Sequence, residues 1–197
     1  MVGARAVLAT MATVGLLAAG CGSAKTTEAQ PGAGHASASA KNMDMSMNMG
    51  TADRPSAPAK MICGAEIRDA VRRTFATSGN PASAHSWSKA DRVYSCTHRL
   101  PHGNLAMSVQ DSLDKKSGRA YFDALRNRLP GARAITGMES YGFPAFETPE
   151  GNVVFLKDGK TLQVNAAALR GAALPPDFSR EEVAFSVASA VIACWSE

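Results

Sequence analysis

From Gly22 to about Lys60 the chain contains no aromatic residue and no Ile, Leu or Val. Ala, Ser, Gly, Pro, Thr and Lys take their place. Such a segment cannot bury enough apolar surface to offset the entropy of ordering it. Any hydrophobic core must therefore come from residues 61–197, which amount to one domain. Residues 21–60 read as a disordered tether. A flexible chain of about 38 residues has a root-mean-square reach of roughly 30–40 Å.

The tether follows a leader. Arg5 supplies a positive charge, Ala6 to Ala19 carries none, and the run ends Ala18-Ala19-Gly20-Cys21. An apolar stretch of about 14 residues is short of the roughly 20 needed to span a bilayer. The order of charge, apolar run and small residues is that of a secretory signal over residues 1–20. The cysteine at its end makes the pattern resemble a bacterial lipobox, with Ala18 where most lipoboxes have Leu. That resemblance implies that Cys21 is acylated, with palmitate among its chains, and becomes the new N-terminus. The expected location is the extracytoplasmic face of the cell membrane, held by a lipid anchor.

Losing Arg5 with the leader lowers the formal net charge from +4 to +3. That allows weak attraction to anionic lipid or wall polymers. It does not indicate nucleic acid, because the basic residues are scattered and aromatics make up only 6%.

In an oxidising compartment disulfides persist. With Cys21 lipidated, Cys63, Cys96 and Cys194 remain, an odd number that suggests one pair and one leftover thiol. Cys63 opens a predicted helix and Cys96 lies in a predicted strand, two elements adjacent in sequence. Cys63–Cys96 is the favoured pairing, with Cys63–Cys194 as the alternative. No Cys-x-x-Cys is present, so a thioredoxin-like site or zinc ribbon is not expected.

Apolar residues at 67, 70, 71 and 74–75 predict a helix over 65–75. Thr77 to Ser86 reads as loop. Alternation predicts strands over 92–100 and 105–109, joined at Pro101-His102-Gly103-Asn104 into a hairpin. Ser112 or Asp114 can cap a helix running to about Leu129, with Ala120, Tyr121, Phe122, Leu125 and Leu129 as its buried stripe. Strand-like segments follow at 133–136 and 140–147. Asn152–Lys157 and Lys160–Ala166 form a hairpin across Asp158-Gly159. Ser179 and Glu182 have capping-box spacing for a last helix, which carries Val183, Phe185, Val187, Ala188, Val191 and Ile192. The prediction is an α+β domain over 61–197: a small antiparallel sheet of about five strands with helices packed on one face.

The search for chemistry finds one unusual segment, Asn42-Met43-Asp44-Met45-Ser46-Met47-Asn48-Met49. Thioether sulfur is a soft ligand that selects Cu(I). Four sulfurs at alternate positions, with His35 and Asp44 nearby, resemble the methionine-rich segments of exported copper-handling proteins. Copper is the one cofactor the sequence suggests, through Met43, Met45, Met47, Met49 and His35. Among the remaining histidines, His98 shares a predicted strand face with Tyr94 and Cys96, and His102 sits in the adjoining turn. The pair could meet a metal, but no carboxylate or third ligand has recognisable spacing, and the two read as solvated hairpin side chains. There is no Gly-x-Ser-x-Gly, Ser-x-x-Lys or His-Glu-x-x-His. Glu181-Glu182 is better explained by capping and the helix dipole than as a catalytic pair. No catalytic residue is assigned, and an enzyme is not expected.

Over the last 135 residues or so, certain segments resemble a group of actinobacterial surface lipoproteins whose shared small domain has no assigned function. They are Cys63, Tyr94-Ser95-Cys96-Thr97, Leu105-Ala106-Met107-Ser108-Val109, Tyr121-Phe122-Asp123-Ala124-Leu125, the Gly137–Gly142 segment and Ala193-Cys194-Trp195. The resemblance implies an α+β fold, a surface lipoprotein and a Cys63–Cys96 bridge, and it implies no reaction. Cys194 departs from a two-cysteine pattern. The expected function is a membrane-anchored, non-enzymatic binding or accessory module of the cell envelope, taking a small ligand or an envelope protein in an apolar pocket. The alternative is an exported copper-binding protein.

Overall fold

Tyr94, Cys96, His98 and Leu100 alternate with less buried neighbours, and this alternation sets one side of a sheet against the core. The computed structural model describes residues 53–171 and 174–195. The leader, Cys21, His35 and the methionine array lie outside the described residues. The elements are α1 (Ala57–Met61), α2 (Ala65–Thr74), β1 (Ala82–Ser88), β2 (Val93–Leu100), β3 (Gly103–Asp111) and α3 (Lys115–Arg128). They continue with β4 (Arg133–Ala134), a 3₁₀ turn (Met138–Tyr141), β5 (Ala145–Thr148), β6 (Asn152–Lys157), β7 (Lys160–Asn165) and α4 (Arg180–Cys194).

The strands form one antiparallel sheet in the order β1-β2-β3-β7-β6-β5-β4. The α+β class holds, but the sheet has seven strands rather than about five. The strand β1 falls largely inside the segment read as loop. The stretch read as a strand over 140–147 is a 3₁₀ turn between two left-handed glycines, Gly137 and Gly142, followed by the shorter β5. The fold also starts before Met61: Ser56 is buried, caps α1, and donates its backbone N–H to Asp111 Oδ2 at 2.7 Å.

Helices cover both faces, not one. Residues of β6 alternate between them. Val154 and Leu156 meet Phe122 and Leu125 of α3, with Phe146 completing that cluster. Val153 and Phe155 face the other way, where α4 packs on β6 and β7 and α2 packs on α4. Phe155 and Phe185 have ring centroids 6.0 Å apart. Double-sided burial explains why β6 is apolar almost throughout rather than alternating. Ala120, expected in the α3 stripe, is exposed, and Gly118 is buried instead.

Gly118 is buried because α3 crosses the β6–β7 turn. Asp158 and Gly159 both have positive φ there, the geometry a two-residue hairpin requires. A Cβ on Gly118 would collide with the Gly159 backbone. Gly118→Ala is therefore expected to lower unfolding stability by about 2 kcal/mol, despite the higher helix propensity of alanine. Urea unfolding followed by circular dichroism measures it, and an unchanged or raised midpoint would refute the packing argument.

Cys63 and Cys96 form a disulfide with Cα atoms 5.7 Å apart, so the alternative Cys63–Cys194 pairing is not formed. Cys194 is disulfide-bonded as well, and no described cysteine is a free thiol. The expected leftover thiol is therefore corrected.

Candidate functional site

Two regions stand out: a buried sulfur–imidazole cluster and an open polar sheet face. The cluster is built by β2, which turns His98 and Cys96 to the same side. His98 is fully buried, contrary to the expectation that it is solvated. Its Nε2 lies 2.9 Å from the Ile62 carbonyl oxygen and 3.5 Å from Cys96 Sγ. A carbonyl oxygen only accepts, so Nε2 carries the proton and donates to it. Nδ1 is then an unprotonated nitrogen, buried without a hydrogen-bond partner. Burial holds the imidazole pKa below its usual value. The Ile62 bond works against that shift, and the Arg68 charge works with it. The cluster clamps the α1–α2 junction to the sheet, with Ile62, Cys96 and His98 buried and Cys63 half-buried. His102 is exposed as expected; His85 is exposed as well, stacked on Tyr94 with ring centroids 5.7 Å apart. Among the described residues, no group of three or more His, Cys, Asp or Glu could hold a metal.

Asp111 and Lys160 pair across β3 and β7 with both side chains buried, Nζ to Oδ1 3.7 Å. With Ser56 N–H on the other carboxylate oxygen, the Asp111 side chain serves to anchor the N-terminal segment.

The second region follows from the uneven cover of the sheet. On the face that α3 shields over β6 and β7, the strands β1, β2 and β3 carry small side chains, mostly serine and threonine with alanine between them. Strand register lines up Ser86, Ser95, Ser108 and Gln163 in one row, and Ala84, Thr97, Ala106 and Asn165 in the next. All eight are exposed or half-buried. Toward α3 the face is closed by Gln163, which donates to Asn152 Oδ1 at 2.9 Å, and by Asn152, which donates to Thr148 at 3.1 Å. Arg99 stands at its other end, opposite Ala82. The result is a flat lattice of hydroxyl and amide groups that can donate and accept hydrogen bonds. The sequence held the signal for it: small polar residues alternate with apolar ones along both β2 and β3. The unread element was β1, which widens the face.

Surface clefts flank these regions. One of about 470 Å³ lies among Ser78, Asn80, Arg99 and Pro101. Another of about 610 Å³ lies among Arg133, Glu147, Glu182 and Phe185. Neither is the apolar pocket between sheet and helices that the sequence suggested. In the second cleft, which Glu181 also lines, three of the charges are already engaged. Arg133 donates to Glu147 at 2.9 Å, and Glu182 completes the capping box with Ser179, whose hydrogen bonds hold its carboxyl below the usual pKa. No protein-family model, curated protein or solved structure matches this chain.

Proposed function

We propose that this chain is a membrane-tethered extracytoplasmic lipoprotein whose domain is a non-enzymatic binding module, with the open β1–β3 face as its working surface. The observation that carries the binding reading is that face: three strands wide, polar, and left bare by the helix that covers the rest of the same side. Hydroxyl and amide groups in a plane suit an uncharged, hydroxyl-rich polymer of the envelope, such as a glycan. They do not suit a protein partner, whose interface would be anchored by buried aromatics. The Cys63–Cys96 bridge supports an oxidising compartment, which the leader pattern also implies. The resemblance to actinobacterial surface lipoproteins belongs to this same reading.

Two measurements test it. Expressed with its leader in a bacterium, the wild type is expected in the membrane fraction, with Cys21 as a diacylated N-terminus by mass spectrometry. Cys21→Ser is expected to leave that fraction. One sulfur cannot carry both a thioether and a disulfide, and once Cys63 and Cys96 pair Cys21 is the cysteine left in the sequence, so the anchor and a disulfide from Cys21 to Cys194 are mutually exclusive. A Cys21 sulfur found unmodified or in a disulfide would overturn the anchor. Separately, the domain is expected to co-sediment with insoluble wall polysaccharide, and Ser108→Trp, at the centre of the face, is expected to abolish this. Retention unaffected by that substitution would overturn the site.

A further inference from the structure

The cleft of about 470 Å³ beside Arg99 adjoins a smaller one of about 260 Å³, and Thr77, Ser78, Leu100 and Pro101 line both. No Asp or Glu lines either. Their ionisable side chains are Arg99 in the larger cleft and His102 in the smaller. Arg99 is exposed and takes part in no ion pair or hydrogen bond among the described residues.

The wall opposite Arg99 is built from donors. After α2 the backbone reverses at Ala76, which has a φ of 48°. Thr77 N–H returns to the Arg72 carbonyl at 3.1 Å, and the Thr77 hydroxyl donates to the Gly79 carbonyl at 2.9 Å. These two bonds shape the 77–80 loop, which leads into β1 where Ala82 pairs with Arg99. The carbonyls that end a helix disfavour a nearby anion. Here those of Val71, Arg72 and Arg73 already accept backbone N–H groups. The backbone N–H groups of Ser78, Gly79 and Asn80 donate to no described residue, and the Ser78 hydroxyl and Asn80 amide are also without a described partner. Guanidinium, hydroxyl, amide and N–H groups around one concavity, with no carboxylate among them, are a donor set for an oxyanion.

The cleft continues the open face. Thr97 and Ser95 lie two and four residues from Arg99 on the same side of β2, so Arg99 stands about 13 Å from Ser95 at the usual rise per residue. A sugar chain laid along β2 over Ser95 and Thr97 runs on to Arg99.

We propose that this cleft is an anion subsite, in which the Arg99 guanidinium pairs with the carboxylate or phosphate of an acidic sugar. The identity of the ligand as a sugar rests on the glycan reading of the β1–β3 face, whose neutral residues would lie beside it. The subsite itself belongs to residues 77–80 and 99–102 and is measurable without the polymer.

Nuclear magnetic resonance titration of residues 21–197 with glucuronate, glucose 6-phosphate and glucose, at one ionic strength, tests it. Glucuronate or glucose 6-phosphate is expected to shift the amide signals of Ser78, Gly79 and Asn80 to saturation, and the tighter of the two names the oxyanion. Glucose is expected to leave those signals in place at the same concentrations. Arg99→Gln is expected to weaken the binding about tenfold or more, the loss of one charge-assisted pair. The variant should keep the remaining wild-type signals, because Arg99 is exposed and holds no other group. Glucose acting as strongly as the acids, an Arg99→Gln titration equal to that of the wild type, or no saturable shift with either acid would overturn the subsite. Saturable shifts that Arg99→Gln removes and Ser108→Trp retains support it, even where Ser108→Trp goes on co-sedimenting with polysaccharide, a result that would fell the reading of the face alone.

Discussion

Replacing both Cys63 and Cys96 by alanine is expected to lower unfolding stability by about 3–4 kcal/mol, the loop-entropy value for a bridge of this span. The bridge closes a loop with a sequence separation of 33. Restoring that freedom to the unfolded chain accounts for the cost. In a domain of this size the corresponding fall in thermal midpoint is about 10–15 °C. The native state also loses something specific. Cys63 sits at the α1–α2 junction, and the bridge holds it to β2, the second strand from the edge. With the bridge gone, only packing and the His98–Ile62 hydrogen bond keep that junction on the sheet. Differential scanning calorimetry of the double variant checks the magnitude. Substitution is preferable to reduction, because a reductant would not act on the Cys63–Cys96 bridge alone: Cys194 is not a free thiol either. A loss below about 1 kcal/mol would mean that β2 and the helices hold their arrangement without the crosslink.

Elements whose own residues carry a complete local signal were legible in the sequence. Asn152–Lys157, Asp158-Gly159 and the strand from Lys160 form a hairpin as expected. Ser179 and Glu182 close the capping box of α4, and Asp114, one of two candidate caps, accepts from Ser117 N–H at 2.8 Å. The strand β1 was not legible. Between Ala82 and Ser88 there is one aromatic and no β-branched residue, so no intrinsic preference marks it. It is a strand because β2 offers a complete backbone edge beside it. The placement of α3 was also hidden. Its stripe is apolar, but nothing in that stripe says which sheet face receives it. That choice is made by Val154, Leu156 and Phe146 on strands more than 17 residues away in sequence.

The candidate site divides in the same manner. Small polar residues alternating on β2 and β3 foretold one solvated side. The width of the open face depends on β1 and on how far α3 reaches, both tertiary facts. His98 shows the opposite error. Placed beside His102 in a hairpin, it reads as surface, whereas the alternation that contains it also contains Tyr94, Cys96 and Leu100, all buried. The period-two pattern was the better guide to its position, and the residue type was the poorer one.

That buried imidazole carries the second large effect. His98→Ala is expected to cost about 3 kcal/mol at pH 7.5, from the void left in a fully buried site and from the unpaired Ile62 carbonyl. Its titration adds a pH dependence of definite sign. The folded-state pKa lies below the unfolded value of about 6.5, chiefly because burial penalises the cation. Above pH 6.5 the ring is neutral in both states, and its full contribution is present. Below it the unfolded chain binds a proton that the folded chain resists. Stability therefore falls as the pH drops from about 6.5 through the folded pKa. Protonation would also place a second N–H on Nδ1, which has no acceptor beside it. His98→Gln separates the two contributions. Its amide N–H can reach the Ile62 carbonyl as Nε2–H does, but it does not titrate. Urea unfolding at pH 7.5 and pH 5 is expected to show a larger loss for the wild type than for His98→Gln, so that the variant gains on the wild type as the solution is acidified. Equal losses in the two proteins would mean that His98 is not the group that couples folding to pH, and that the α1–α2 junction opens far enough for the ring to take a proton at no cost.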